Sequence, residues 1–378
     1  GYNMRGLLAL SALLLAVAAF PSNLTVRLAR QAYANKVWPN ALIPIGYKSN
    51  YPEAWKASVR AGIKVWEART CVRFRDNDVT SADRVEVYDG GQCSSSVGKE
   101  GGKQYFSLGR DCQGLGSAAH ELGHAIGLHH MQVRPDRDQY VTVNKANIHP
   151  DAFDVNFATD SKTSSLGFPY DYTSVLHYGP FNFAKEGAPG MVPRDSRFRF
   201  SMGGIYPSFY DVMRVNKLYN CDAKCISSRT TCTNNGVPDV NNCAQCFCPL
   251  GYGGRDCSGV PAGATVLTAT AAEQRFETKI GTQNVRKDLD YELKHLVINA
   301  PAGKKVFVKV TYFWVSYDIT CTYGGIEFYT KMDTRGGAPR VCKMEWLEPS
   351  YTSEGSRMFI RMFNRNDQAK FQLTYKAV

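Results

Sequence analysis

No part of this 378-residue chain offers an apolar run long enough to cross a bilayer. The most apolar stretch, Leu7 to Phe20, is about 14 residues, against the roughly 20 that a spanning helix needs. Blocks of like charge are also missing, and no cluster of basic and aromatic residues stands out, which argues against a nucleic-acid groove. Acid is in deficit, with 34 Asp and Glu against 45 Lys and Arg and a formal charge of +11. Because the cations are scattered, they imply a solvated basic surface with at most weak attraction to acidic matrix or cell surfaces. Apolar and charged fractions of 44% and 21% exclude a disordered chain and a membrane bundle.

What is present begins with a leader. Met4 and Arg5 precede the apolar run, Ala16-Val17-Ala18 supplies small residues for cleavage, and the whole has the layout of a secretory signal over residues 1–20. Gly1-Tyr2-Asn3 then stands upstream of the expected initiator. Arg27-Leu28-Ala29-Arg30 looks like a basic processing site, which makes residues 21–30 a short prosegment. The one Asn-x-Ser/Thr sequon, Asn23-Leu24-Thr25, falls in that removable segment, so no glycan is expected on the mature chain. A secreted chain folds in an oxidising compartment, so its twelve cysteines are expected as disulfides rather than thiolate ligands. The length allows two or three domains.

The chemistry is concentrated in His120-Glu121-Leu122-Gly123-His124-Ala125-Ile126-Gly127-Leu128-His129-His130. His120 and His124 are one helical turn apart, so both imidazoles leave one face, with Glu121 placed as a general base. Gly127 can adopt a left-handed conformation, end the helix and let His130 return as a third ligand. Three protein ligands and one open position describe a catalytic zinc site, whereas structural sites are usually closed by four. The rival is a buried helix with satisfied histidines; five specified positions arise by chance in such a chain roughly once in a hundred thousand sequences. His129 is read as an ordinary, partly exposed histidine.

Period and alternation place the remaining elements. An extended segment is expected from Trp38 through Ile43 and Ile45 to Tyr47, and a helix over Glu53 to Arg69 from the spacing of Trp55, Val59, Ile63 and Trp66. Cys71 to Phe74, Val85 to Tyr88 and Gly101 to Leu108 read as strands, the last as an edge strand able to pair with an extended peptide. Residues 144–167 read as a long polar loop, Tyr170 to Gly179 as an aromatic-rich turn, and Ser208 to Tyr219 as a helix.

The histidine motif, the following Arg134-Pro135-Asp136-Arg137-Asp138 and the turn Ser174-Val175-Leu176-His177-Tyr178 resemble the astacin family of zinc endopeptidases, which are metzincins. The Trp38-Pro39 opening, Thr70-Cys71-Val72-Arg73-Phe74 and Leu218-Tyr219-Asn220-Cys221 extend that resemblance over residues 31–222. It implies an α+β, two-lobed peptidase domain holding one Zn2+ per chain on His120, His124 and His130. Glu121 would deprotonate the zinc-activated water and pass the proton to the leaving amine, and Tyr178 would stabilise the oxyanion after leaving the metal. Disulfides Cys71–Cys221 and Cys93–Cys112 are implied by matching position, and His177 is taken as structural.

Several positions depart from the family. Met131 replaces the Glu that anchors a trimmed N-terminus, and Leu176 replaces a Met beneath the metal, a volume-conserving change costing under about 1.5 kcal/mol. Residues 21–30 lack the Asp that keeps family zymogens latent, and Met202-Gly203-Gly204-Ile205 lacks the base that reads an acidic residue after the cleaved bond. Neither property is carried over.

Residues 223–258 resemble a small disulfide-rich EGF-like module, which implies Cys225–Cys243, Cys232–Cys246 and Cys248–Cys257. Residues 259–378 alternate like an antiparallel all-β sandwich and resemble a CUB domain, with only Cys321–Cys342 to pair. Gly324 stands where calcium-binding CUB domains place Asp, so no calcium is expected. This multidomain order is common among nematode members of the family. It implies a secreted enzyme acting on extracellular proteins, including matrix or cuticle components held by the two modules, with no nucleic acid and no transmembrane anchor. The alternative is a catalytically weak adhesion or signalling scaffold that keeps the peptidase fold.

Overall fold

The computed structural model describes residues 36–161, 163–287, 289–316, 321–343 and 349–378. The expected signal, the short prosegment, its processing site and the sequon at Asn23 lie outside the described residues.

Pro39 and a positive φ of 55° at Asn40 coil residues Pro39–Ala41 into a 3-10 turn, so the extended run starts later than Trp38. Strand β1 (Leu42–Tyr47) buries Ile43 and Ile45 completely. Helix α1 (Glu53–Glu67) follows the 3.6-residue period, turning Val59, Ile63 and Trp66 inward. Strands β2 (Arg73–Arg75), β3 (Arg84–Tyr88), β4 (Cys93–Ser95) and β5 (Lys103–Leu108) complete a sheet in the order β2–β1–β3–β5–β4. The pairs among β1, β2, β3 and β5 are parallel, and β4 runs antiparallel to β5.

That order corrects one expectation. β5 is interior, and the edge beside it belongs to β4, which is tethered by the Cys93–Cys112 disulfide. With Cys93 facing Leu108, Ser94 facing Ser107 and Ser95 facing Phe106, the β5 backbone on that side is already occupied. A peptide adding on that side of the sheet meets β4 instead.

Helix α2 (Leu115–Ile126) packs on α1 and the sheet, and Trp66 Nε1 donates to Ala119 O at 2.9 Å across the helix pair. Beyond it the chain builds a second, less regular body. β6 (Val141–Val143) pairs with β7 (Met191–Pro193), and α3 (Pro150–Asn156) interrupts what reads in sequence as a loop. Its Pro150 sits at the first helical position, where the missing N–H costs nothing, and seven residues are too few to display a period. Apolar clusters around Met131 and Tyr170 and around Ile148 and Phe157 give this body cores of its own. Helix α4 (Phe209–Leu218) returns to the first body through a capping box, Ser208 Oγ accepting from Asp211 N while Asp211 accepts from Ser208 N.

Cys71 and Cys221, 150 residues apart in sequence, close this region. Removing a native disulfide costs 2–5 kcal/mol, and the long loop favours the upper part of that range. A Cys71→Ser/Cys221→Ser chain is therefore expected to melt about 10 °C or more below wild type by circular dichroism, since each kcal/mol shifts a domain of this size by roughly 2–4 °C.

Strands β8 (Val237–Asp239) and β9 (Asn242–Phe247) form a small hairpin stapled by Cys225–Cys243, Cys232–Cys246 and Cys248–Cys257. It rests on α4 through Phe209 and Phe247, stacked at 4.7 Å, and on the end of α1 through Arg69 and Asp239, paired at 2.6 Å.

The C-terminal strands are β10 (Thr265–Thr268), β11 (Gln274–Ile280), β12 (Glu292–Asn299), β13 (Val306–Trp314), β14 (Gly324–Tyr329), β15 (Arg340–Val341), β16 (Ser350–Thr352), β17 (Arg357–Asn364) and β18 (Ala369–Ala377). They form two facing sheets, β10–β12–β17–β14–β15 and β11–β18–β13–β16. Inward residues such as Leu296, Val308, Ile360 and Phe371 fill the space between them. Among the described residues all pairings are antiparallel except β10 with β12, where the chain enters parallel before crossing over. Cys321 and Cys342 are bonded.

One charge lies deep in this sandwich. Glu327 is fully buried between Arg340 and Arg361. Burial alone would push its carboxyl up, but Arg361 and then Arg340 outweigh it and hold the group below the usual 4.5. A depressed folded pKa contributes stability above the unfolded value and loses it as the carboxyl protonates. Hydrogen exchange of β14 and β17 is expected to speed up as pH falls below about 4.5, after correction for intrinsic exchange.

Candidate metal centre

Helix α2 presents two faces. Ala118, Leu122, Ala125 and Ile126 enter the core, while His120 and His124 share the opposite side. Gly127 ends the helix at φ 124°, a value that strains any residue with a Cβ, and its N–H closes on Gly123 O and His124 O. The chain then doubles back and delivers His130. Met131 N donates to Leu176 O at 2.9 Å, which ties this return to the aromatic turn.

The three Nε2 atoms form a triangle with sides of 3.0, 3.0 and 3.2 Å. His120 Nδ1 lies 2.6 Å from Val175 O, and His124 Nδ1 lies 2.7 Å from Leu128 O. A carbonyl can only accept, so in His120 and His124 the Nδ1 carries the proton and the Nε2 keeps a bare lone pair. Burial depresses all three imidazoles, His124 and His130 well below the usual range, and so keeps them neutral. Lone pairs converging at 3 Å repel unless a cation sits among them. Tetrahedral ligation at about 2.0 Å spaces ligand atoms about 3.3 Å apart, close to this triangle, so the donor set fits zinc.

Glu121 is 4% exposed, and its Oε2 is buried with no hydrogen-bond partner among the described residues. Burial pushes its carboxyl up to about 8. An acceptor left open beside the ligands suits a group that meets water or substrate rather than one that holds the fold.

Tyr178 borders the triangle, its ring 4.3 Å from that of His130 and stacked 6.4 Å from that of His120. The hydroxyl donates to Asn156 Oδ1 at 3.2 Å, and the Tyr178 N–H donates to Gln132 Oε1 at 3.2 Å. Burial raises the phenol, so the hydroxyl stays protonated and able to donate. Leu176 is 1% exposed and packs within the core beneath α2, offering no ligand atom. His177 is buried between Tyr170 OH at 2.8 Å and Tyr178 O at 2.7 Å, and burial lowers it to about 4. His129 sits outside the triangle, 4.0 Å from Asp160. Met131 joins an apolar cluster with Val141, Tyr170 and Met202.

Three residues that sequence reasoning passed over hold this arrangement together. Asn156 and Gln132 secure Tyr178. Asp211, fully buried at the start of α4, accepts from Ser174 Oγ at 2.6 Å and from Val175 N at 2.9 Å, and pairs with Arg214 at 3.0 Å. Asp211 thereby places the carbonyl that orients His120. The helix over Ser208 to Tyr219 was legible from its spacing, but the reach of Asp211 to the 174–175 turn was not.

A family model described as Astacin (Peptidase family M12A) matches residues 30–220. Among curated proteins, the zinc metalloproteinase nas-31 of Caenorhabditis elegans is 33% identical over 362 residues, covering 93% of this chain and 59% of that one. The zinc metalloproteinase nas-25 of the same organism is 35% identical over 318 residues, covering 81% and 79%. Among solved structures, high choriolytic enzyme 1, a hatching enzyme zinc-protease from Oryzias latipes (Medaka fish), is 33% identical with a TM-score of 0.46, covering 50% of this chain and 96% of that one.

Proposed function

The chain belongs to the astacin family, peptidase family M12A, and from that premise we propose that it is a secreted endopeptidase that holds one zinc ion and cuts extracellular proteins. The observation that carries this reading is the triangle of three neutral imidazole nitrogens together with a buried Glu121 Oε2 that has no partner among the described residues. His120, His124 and His130 would hold the metal. Zinc bound there supplies a divalent charge that polarises a carbonyl, lowers the pKa of water toward neutrality and favours the ionised form of Glu121.

Glu121 takes the proton of the attacking water and hands it to the leaving amine, as its buried, open oxygen allows. Tyr178 donates from its hydroxyl to the developing oxyanion once that hydroxyl leaves Asn156. Substituting Phe keeps the ring stacking and removes the donor. Tyr178→Phe is expected to lower kcat about 100-fold on a short peptide, with KM and zinc content close to wild type.

Secretion is supported by the pairing of every cysteine, since free cysteines are absent. No described helix is long and apolar enough to cross a membrane. Residues 223–258 as an EGF-like module and 259–378 as a CUB-like sandwich would hold protein substrates, matrix or cuticle components among them. The test is chelation and recovery: cleavage of a denatured protein should stop as zinc is withdrawn and return with about one zinc per chain. Cleavage that persists after the metal is gone would overturn the reading.

A further inference from the structure

The C-terminal sandwich touches the peptidase region at an unexpected place, the segment just before α4. Ile205 packs with Tyr291 and Phe363, and Tyr206 OH bonds Asp290. At the centre is Arg340, 2% exposed on the short strand β15. Its Nε and one terminal nitrogen grip Glu327 Oε1 at 3.0 and 2.9 Å. The other terminal nitrogen donates to Gly203 O at 3.2 Å, and the Arg340 backbone N–H donates to Ser201 Oγ at 2.9 Å. A planar fork fixed on two sides by a buried carboxylate holds its third contact in place.

The contact leads directly to the metal ligands. Gly204 N donates to Ser174 O at 2.9 Å, and Gly204 lies so close to this turn that a Cβ there would overlap Thr173 O. The next carbonyl, Val175 O, is the acceptor of His120 Nδ1. Arg340 to Gly203, Gly204 to Ser174, and His120 to Val175 thus link the sandwich to the first histidine by hydrogen bonds and adjoining peptide units. On the same surface Gly337 abuts the Thr173 side chain, leaving no space for a Cβ.

We propose that the sandwich is a brace for the metal centre, and that Arg340 is a positioning residue that orients His120 through the Gly203–Gly204 and Ser174–Val175 peptides. This rests on the zinc-peptidase reading above. The sandwich then contributes to turnover of every substrate, including peptides too short to reach it, as outer partners of a ligand commonly tune affinity and rate.

The test uses full-length Arg340→Met, Arg340→Lys and Gly337→Ala chains. Arg340→Met leaves the Glu327 charge paired with Arg361 through Oε2, while Oε1 loses both of its Arg340 bonds. Arg340→Lys keeps the charge without the fork. Gly337→Ala removes no bonding group and pushes the sandwich off Thr173. Each is expected to release zinc to a competing chelator about tenfold faster and to lower kcat on a short peptide about tenfold, with KM unchanged. Hydrogen exchange over residues 174–178 should rise in each. Near-UV circular dichroism reports the fold; if an Arg340 variant does not fold, Gly337→Ala decides. Zinc release and kcat equal to wild type in a folded variant would overturn the brace, as would a loss confined to KM or to long protein substrates. A wild-type chain that holds no zinc and cuts nothing would instead fault the peptidase reading.

Discussion

Glu121→Ala is expected to lower kcat by about 10³- to 10⁴-fold on any peptide substrate while leaving zinc content unchanged. General acid–base groups are worth up to about 10⁴-fold, and in the proposed mechanism one carboxyl serves both proton transfers. Zinc content should hold because the group able to hold a metal is His120, His124 and His130, with Glu121 outside that set. Stability should hold or rise, since the substitution removes a buried carboxyl whose Oε2 lacks a partner among the described residues. Glu121→Gln sharpens the point by keeping the shape and losing only the base. Zinc content by mass spectrometry, thermal melting and single-turnover cleavage together separate this outcome from misfolding.

His124→Ala should fail differently. It removes an Nε2 from the triangle and also the Nδ1–H bond to Leu128 O at 2.7 Å, which helps shape the turn after Gly127. Changes outside the ligand set cost 10- to 100-fold in affinity, so loss of a ligand should exceed about 100-fold. The clearest readout is linked stability. A ligand at 100 times its dissociation constant adds about 2.7 kcal/mol. The wild-type melting temperature should therefore fall on chelation. That of His124→Ala should start lower and respond little. A wild-type protein indifferent to chelation would count against a metal centre here.

The histidine motif was legible because its logic is local: one turn of helix sets His120 beside His124, and a glycine ends the helix. Helices α1 and α4 were legible for the same reason. What went unseen depends on partners far along the chain. Asn156 reaches Tyr178 over 22 residues, Gln132 over 46, and Asp211 reaches Val175 over 36. Polar residues at such separations carry no period. The edge status of a strand is likewise a property of sheet order, so β5 reads the same whether β4 covers it or not. Three-residue β4 and seven-residue α3 are too short to announce themselves. The parallel entry of β10 was hidden similarly, because alternation does not encode strand direction.

Met131 and Leu176 were the positions most at odds with the family pattern. Both turn out to be packing residues, one in the second body and one beneath α2. Neither substitution takes a donor away from the triangle, so neither is expected to silence it.

The central claim is tested most directly by zinc content and cleavage measured on one preparation of the folded wild-type chain, with Glu121→Ala beside it. The expected result is about one zinc in each, cuts throughout a denatured protein by wild type, and cleavage at least about 10³-fold slower by the variant. Wild type and variant that both hold zinc and are equally inert would contradict it, leaving an extracellular scaffold on a peptidase fold.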